Sequence, residues 1–209
     1  MRRLLAMLAL GAVIAFVPAL RRPVLQAAGR ALVVEDPLVP ADVIVLASDS
    51  PGAGPLEVAD LVHRGVAARV AVLAFLEDPA VEREYLRRGV PYEDAAAKAV
   101  RQLRALGVAT VEVIPTRVTG TEDQGRVLPP WCDQHGFRSI VVVAEADHSR
   151  RVRRVLHRAM RGHMTAVRVR VSRYSQFDPD GWWETRVGTR AGLVELQKLL
   201  LDFLRHPFS

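Results

Sequence analysis

Residues 139–161, SIVVVAEADHSRRVRRVLHRAMR, decide how the rest of the chain is interpreted. Residues 140–144 are all apolar and mostly β-branched, which is typical of a strand buried on both faces of a parallel sheet. The polar segment EADH follows at 145–148, and apolar residues then recur at helical spacing between 152 and 160 with arginines among them. The stretch therefore predicts a strand, a short polar loop and a cationic amphipathic helix. In a parallel sheet, such a loop lies at the edge where ligands bind.

Composition indicates one folded domain with an uneven positive charge. The chain has 209 residues, of which 50% are hydrophobic, and a net charge of +6. Nine arginines and no acidic residue lie between His148 and Arg173. Such a block is typical of phosphate binding, whether on nucleic acid, lipid or a small ligand, and also of a solvated helix face. Cys132 is the only cysteine, which excludes an internal disulfide and a thiolate metal site.

Residues 1–22 are predicted to be an N-terminal membrane anchor. An uncharged apolar run of 17 residues extends from Leu4 to Leu20 and is flanked by arginine pairs. A helix of that length is about 25 Å long, just short of a hydrocarbon core of about 30 Å. No small-residue cleavage site follows the run, so a single-pass anchor with the domain on the extracytoplasmic side is favoured. A cleaved signal peptide and an interfacial helix are the alternatives, and arginines at both ends determine the orientation poorly.

The remaining chain is divided into a connector at 23–40 and an α/β domain at 41–209. Pro37 and Pro40 disfavour helix in the connector, and residues 31–34 would form a short edge strand. Strand and helix patterns alternate about five times in the domain. This predicts a three-layer, doubly wound, Rossmann-like fold with a mostly parallel sheet of about five strands, preceded by an N-terminal hydrophobic helix. The predicted strands are 42–47, 69–75, 110–114, 140–144 and 166–171, the last of them at an edge.

Polar side chains collect after three of these strands, and parallel strands would bring them to one edge of the sheet. His148 and Asp123 are predicted to be catalytic, because histidine and carboxylate side chains can transfer protons. Arg151 would pair with an anion, whereas Arg158 and Arg161, farther along the helix, would point at solvent or lipid. The predicted ligand-binding residues are Ser48, Asp49, Thr121, Gln124 and Arg151.

Several of these residues have a purely structural alternative. Thr121 and Asp147 are good N-cap residues, and Trp182-Trp183 would pack against the sheet or line a ligand. The sequence contains no G-x-G-x-x-G after a strand, no Walker A loop, no G-x-S-x-G elbow and no H-E-x-x-H. No metal site is predicted, although Asp49, Asp123 and Glu145 have the chemistry to hold a hard cation.

The order and spacing of several motifs resemble the bacterial SanA/YdcF/ElyC-like family, whose α/β domain has no settled reaction. The similarity spans residues 37–204 and places the domain in that family as a divergent member. The motifs that carry it are Ala41–Leu46 in the first strand, Asp60–Gly65 before the second, Thr121–Gln124 after the third, His148 with Arg151 after the fourth, and Trp182-Trp183 followed by Glu195, Lys198, Leu199 and Leu200.

The resemblance implies a membrane-associated cell-envelope protein with a role in peptidoglycan-precursor maintenance. The leading hypothesis is a domain that binds a small phosphorylated or nucleotide-like anion at the carboxyl edge of the sheet, with no cofactor specified. The alternatives are a hydrolase or transferase at the same cleft, with or without a metal, and a non-catalytic domain that docks on anionic lipid or a partner. Nucleic acid is not expected, because the basic residues lack interleaved aromatics.

Overall fold

The computed structural model describes residues 18–50 and 52–208 and shows an α/β domain built on one parallel sheet. The five strands lie in the order β3-β2-β1-β4-β5, which is Rossmann-like and confirms the predicted fold class. The predicted edge position of the last strand is also confirmed. The strands are β1 (Val43–Leu46), β2 (Arg69–Phe75), β3 (Thr110–Val118), β4 (Ser139–Ala144) and β5 (Ala166–Val171).

Helices cover both faces of this sheet. They are α1 (Pro18–Leu32), α2 (Gly54–His63), α3 (Pro79–Arg87), α4 (Ala95–Ala105), α5 (Thr121–His135), α6 (Ser149–Ala159) and α7 (Arg186–Arg205). One core cluster packs under α2 and α4 and the other under α5 and α6, and the central strands β1 and β4 contribute to both. Burial on both faces explains why these two strands are almost continuously apolar.

The segment before the domain differs from the prediction. Residues 31 and 32 belong to α1, and 33–36 form no strand, so the expected edge strand at 31–34 is wrong. Alanine, leucine, glutamine and arginine in α1 favour helix, and this preference outweighs Pro23. The connector still covers the sheet edge, since the Asp36 amide donates to the Val169 carbonyl (2.9 Å) and the Val169 amide donates to the Asp36 carboxylate (2.9 Å).

One strand is longer than predicted, and a proline pair lies within a helix. Pro129 and Pro130 are both inside α5, which they do not interrupt. Strand β3 continues through the expected loop to Val118, whose carbonyl accepts from the Leu76 amide at 2.8 Å. Val118 is fully buried, so a place in the core accounts for the extra length.

The predicted anchor at residues 4–20 lies almost wholly outside the described residues. Within 18–50 and 52–208, no helix combines the length and the apolar character needed to cross a membrane.

Candidate functional site

The candidate site lies where β1 and β4 end side by side, at the reversal point of the strand order. Chains leaving such neighbouring strands go to opposite faces of the sheet, which opens a crevice between them. Ser48 and Asp49 follow β1, and a one-turn 3₁₀ helix from Ala146 to His148 follows β4. The structure thus brings together the polar groups that the sequence placed after these two strands.

His148 is held between two carboxylates. Its side chain is 7% exposed, with Nδ1 2.8 Å from Asp147 Oδ1 and Nε2 2.8 Å from Asp49 Oδ2. Burial lowers the pKa of His148, but the Asp49 charge, the Asp147 hydrogen bond and the Asp49 hydrogen bond together raise it to about 10. The imidazole is therefore a cation at neutral pH. In this form the ring can donate a proton but has no free nitrogen to accept one.

The Asp49 carboxylate is charged as well. Burial raises its pKa, yet the nearby His148 and Arg151 charges outweigh burial and bring the pKa below its ordinary value. Glu145 behaves in the opposite way, because burial raises its pKa more than the Ser175 hydrogen bond lowers it. One edge of the sheet thus holds an ion pair beside a carboxyl group that is easier to protonate.

Helix α5 brings a second set of polar atoms to this crevice. The Gln124 side chain is fully buried and its Nε2 donates to Ser48 Oγ at 3.1 Å. Nine buried side-chain atoms among the described residues have no hydrogen-bond partner, and four of them are oxygens of residues at this edge of the sheet. Buried polar atoms are normally satisfied, so these four oxygens have hydrogen-bonding capacity that no side chain at this edge uses. The four are Asp49 Oδ1, Ser50 Oγ, Thr121 Oγ1 and Gln124 Oε1.

Two predicted site residues have partners within the protein. Arg151 donates to Glu195 at 2.9 Å, so its charge is already balanced by helix α7. Asp123 accepts from the Thr119 amide at 2.9 Å and also contacts the Thr119 hydroxyl and Arg126. The Thr119 hydrogen bonds, together with Arg126, lower the pKa of Asp123 to about 2. Asp123 therefore stabilises the start of α5 and faces its own loop.

A groove beside the site lies between the β4 loop and the first turns of α7. Cavities of about 370 Å³ and 470 Å³ share Asp147, Val187 and Ala191 in their linings. Glu145 and Ser175 lie on one side, and the larger cavity also contacts Arg186, Arg190 and Glu195. Asp147 therefore links the His148 ion pair to a space of the size that small ligands occupy.

Sequence reasoning missed the roles of Asp147 and Glu195. Asp147 was interpreted as an N-cap, although its position next to a histidine at a strand end was a usable signal. Glu195 was noted only within a motif, and a buried acid among the leucines of the last helix suggests a cationic partner. The Trp182 ring is buried and donates to the Leu25 carbonyl at 2.8 Å, which supports packing over a ligand wall. Nowhere in the described part of the chain do three histidine, cysteine or acidic side chains form a metal-binding group.

Comparison with known proteins adds little to this description. No protein-family model and no curated protein matches the chain. HcgE from Methanothermobacter marburgensis, solved with guanylylpyridinol and ATP, is 17% identical with a TM-score of 0.34, over 83% of this chain and 100% of that one. The reductase domain of an aureusimine biosynthetic cluster is 13% identical with a TM-score of 0.32, over 70% of this chain and 38% of that one. Likenesses this low carry no conclusion about ligand or activity.

Proposed function

We propose that the protein is a SanA/YdcF/ElyC-like envelope protein, anchored through residues 4–20, that binds a phosphorylated or nucleotide-like ligand at the carboxyl edge of the sheet. The observation that carries this proposal is the concentration of unpartnered buried polar atoms beside His148. A protein that used this corner only for structure would leave few such atoms, because each one costs free energy.

The charges assign different parts of the ligand to different residues. Asp49 Oδ1 and Gln124 Oε1 accept hydrogen bonds and suit ligand hydroxyl or amino groups. The His148 imidazolium places a positive charge at this edge while its Nε2 stays 2.8 Å from Asp49 Oδ2, and the N-terminal end of α5 adds a positive dipole there. Arg151 can contact a phosphate only while its guanidinium also remains paired with Glu195. His148 and Gln124 therefore carry most of the recognition in this proposal.

Thermal unfolding in the presence of nucleoside diphosphates and lipid-linked diphosphates, with and without Mg²⁺, tests this function. A ligand at about 100 times its Kd stabilises the folded protein by about 2.7 kcal/mol, which is a readily measured rise in Tm. No rise with any of these compounds would contradict the proposal. A rise that appears only with Mg²⁺ would indicate that the oxygen acceptors hold a hard cation together with the phosphate.

Replacing Thr121 by valine should lower the affinity for the ligand without lowering the stability of the fold. The Thr121 hydroxyl is buried and unpartnered among the described residues, so valine removes a polar group whose desolvation is uncompensated. We expect an unchanged or higher Tm without ligand and an affinity about three- to tenfold lower, measured by calorimetry.

Thr165 provides the matched control for this substitution. Its buried hydroxyl donates to the Phe137 carbonyl at 2.8 Å, far from the proposed ligand. Thr165→Val should therefore lower the free energy of unfolding by about 1–3 kcal/mol and leave the ligand affinity unchanged. If both variants bind the ligand equally well, Thr121 is not part of the site.

A further inference from the structure

The last helix, α7, is oriented with both acidic side chains inward and most of its large apolar side chains outward. Glu195 and Asp202 are its two acids, with side chains 8% and 4% exposed. Both are held by helix α6, where Arg151 contacts Glu195 at 2.9 Å and Arg154 contacts Asp202 at 2.5 Å. This arrangement inverts the usual pattern, in which the polar face of a surface helix points to solvent.

The outward face of α7 is correspondingly apolar. Leu193, Gln197, Leu200 and Leu204 recur at spacings of three and four, so they lie on one side of the helix. The three leucines are 52%, 60% and 71% exposed. Val194 and Leu201, each one position on from a leucine, are exposed as well. We call these five apolar residues the leucine face. A contiguous exposed apolar surface of this kind marks an interaction site.

Unpaired cations border the leucine face. Arg186 and Arg190 precede it and Arg205 follows it, and none of the three contacts an acidic side chain in the part of the chain that the structure describes. No acidic residue of α7 is exposed, because both of its acids face α6. An apolar stripe with arginine at both ends is the pattern of a helix that lies in a membrane interface. The long arginine side chains can reach headgroups while the leucines enter the acyl region.

We propose that the leucine face of α7 docks on the surface of an anionic lipid bilayer, independently of residues 4–20. The charge pattern favours lipid over a second copy of this chain, because two copies of α7 would bring arginines together with no exposed acid on the helix to pair with them. The exposed acid nearest to Arg205 in their shared cavity, Glu122, already contacts Arg158. The arginines of α6 do not form this surface. Arg151, Arg154 and Arg158 are engaged by Glu195 and Asp202 inside the domain.

The path of the chain also supports membrane docking on the side of the molecule where α7 lies. Helix α1, which begins at Pro18 within the end of the apolar run, packs against α7. Trp182 stabilises this contact, because its ring nitrogen donates to the Leu25 carbonyl of α1. Its ring also packs directly on Gly192 of α7, where an added Cβ would lie only 2.4 Å from a ring carbon. Docking by α7 would also place the groove near Arg186 and Arg190 at the membrane surface.

Quenching by lipids that carry a nitroxide on the acyl chain tests the proposal on the full chain reconstituted in vesicles. A fluorophore is attached at Leu200→Cys, or at Ala105→Cys on α4 as the control, which is exposed on the other face of the sheet. Native Cys132 is fully buried and burial raises its pKa to about 12, so it competes poorly for the label. We expect strong quenching at position 200 and none at position 105 in phosphatidylglycerol vesicles, and a loss of most of the quenching in phosphatidylcholine.

A charge variant separates lipid docking from other ways of covering the leucine face. Replacing Arg186, Arg190 and Arg205 by glutamine should abolish the preference for anionic lipid, whereas replacing the exposed Arg64, Arg83 and Arg104 should not. Absence of quenching at position 200 overturns the proposal. A fluorophore that is shielded from water but not quenched by the lipid also overturns the proposal. If this shielding falls when the protein is diluted in lipid, a second copy of the chain covers the leucine face. If the shielding does not fall, the chain's own N-terminal residues cover it. Either result leaves the ligand-binding proposal untouched, because that is read by thermal shift.

Discussion

Replacing Asp202 by alanine should lower the free energy of unfolding by about 3–5 kcal/mol, one of the two largest effects expected in this protein. The Asp202 side chain is 4% exposed and contacts Arg154 at 2.5 Å and Arg158 at 3.2 Å. Removing it leaves partly buried guanidinium groups without the carboxylate that compensates their desolvation. Urea unfolding followed by circular dichroism measures the loss, and Asp202→Asn should show a smaller one because the amide oxygen still accepts a hydrogen bond.

Glu122 is the matched control because it contacts the same Arg158 at 3.3 Å from an exposed position. The Glu122 side chain is 63% exposed, so solvent screens the pair and Glu122→Ala should cost at most about 1 kcal/mol. Equal losses in the Asp202 and Glu122 variants would contradict the view that α7 is held to α6 by buried charges.

The strands were predictable because each is a local pattern. The bounds of β2 and β5 agree with the prediction, since the apolar run of β2 and the alternating pattern of β5 each end at polar or turn residues. The end of β3 was misinterpreted because local preference favours a loop after residue 114, but the place of Val118 in the core compensates for it.

The partners of the arginines could not be predicted in the same way. Arg158 was expected to point at solvent or lipid, and this is wrong, because its side chain is 20% exposed and contacts Asp202. The two residues are 44 positions apart, and a single sequence contains no signal for a pair at that distance. The composition correctly indicated an excess of arginine but could not show that arginines of α6 pair with acidic side chains inside the domain.

The candidate site was also predictable only in part. Parallel strands predicted that Ser48, His148 and the start of α5 would meet at one edge, and the contact between Ser48 and Gln124 agrees with this. The charge state of His148 was not predictable, because it depends on the distance of its ring from Asp49 and on burial. The sequence could therefore place the histidine in the site without showing that it is a cation.

The ring of His148 should remain protonated across the neutral range and lose its proton near pH 10. Both carboxylates that contact it favour the imidazolium, and together they outweigh burial. The chemical shift of its ring carbon-bound protons, followed by NMR from pH 5 to 11, reports the transition directly. A midpoint near the ordinary value of about 6.5 would show that the Asp49 and Asp147 contacts do not hold the proton.

The same shift makes a prediction for stability. Because the pKa of His148 is raised on folding, its contribution is fully present below about pH 6.5 and is lost as the pH rises from there to about 10. Asp49, whose pKa is lowered, contributes above its ordinary pKa of about 3.9 and loses that contribution as the pH falls below it. The ion pair should therefore be most stabilising between about pH 4 and pH 6.5.

His148→Gln should cost about 3–5 kcal/mol in that window, because it leaves two carboxylates facing each other without the charge between them. The difference from the native protein should narrow steadily above pH 7, as the native ring approaches neutrality. His163→Gln is the control, since His163 contacts Asp133 at 2.6 Å where the two side chains are 31% and 47% exposed, and it should change stability by at most about 1 kcal/mol. A His148 variant whose deficit is the same at pH 6 and pH 10 would show that the ring acts through packing and not through its charge.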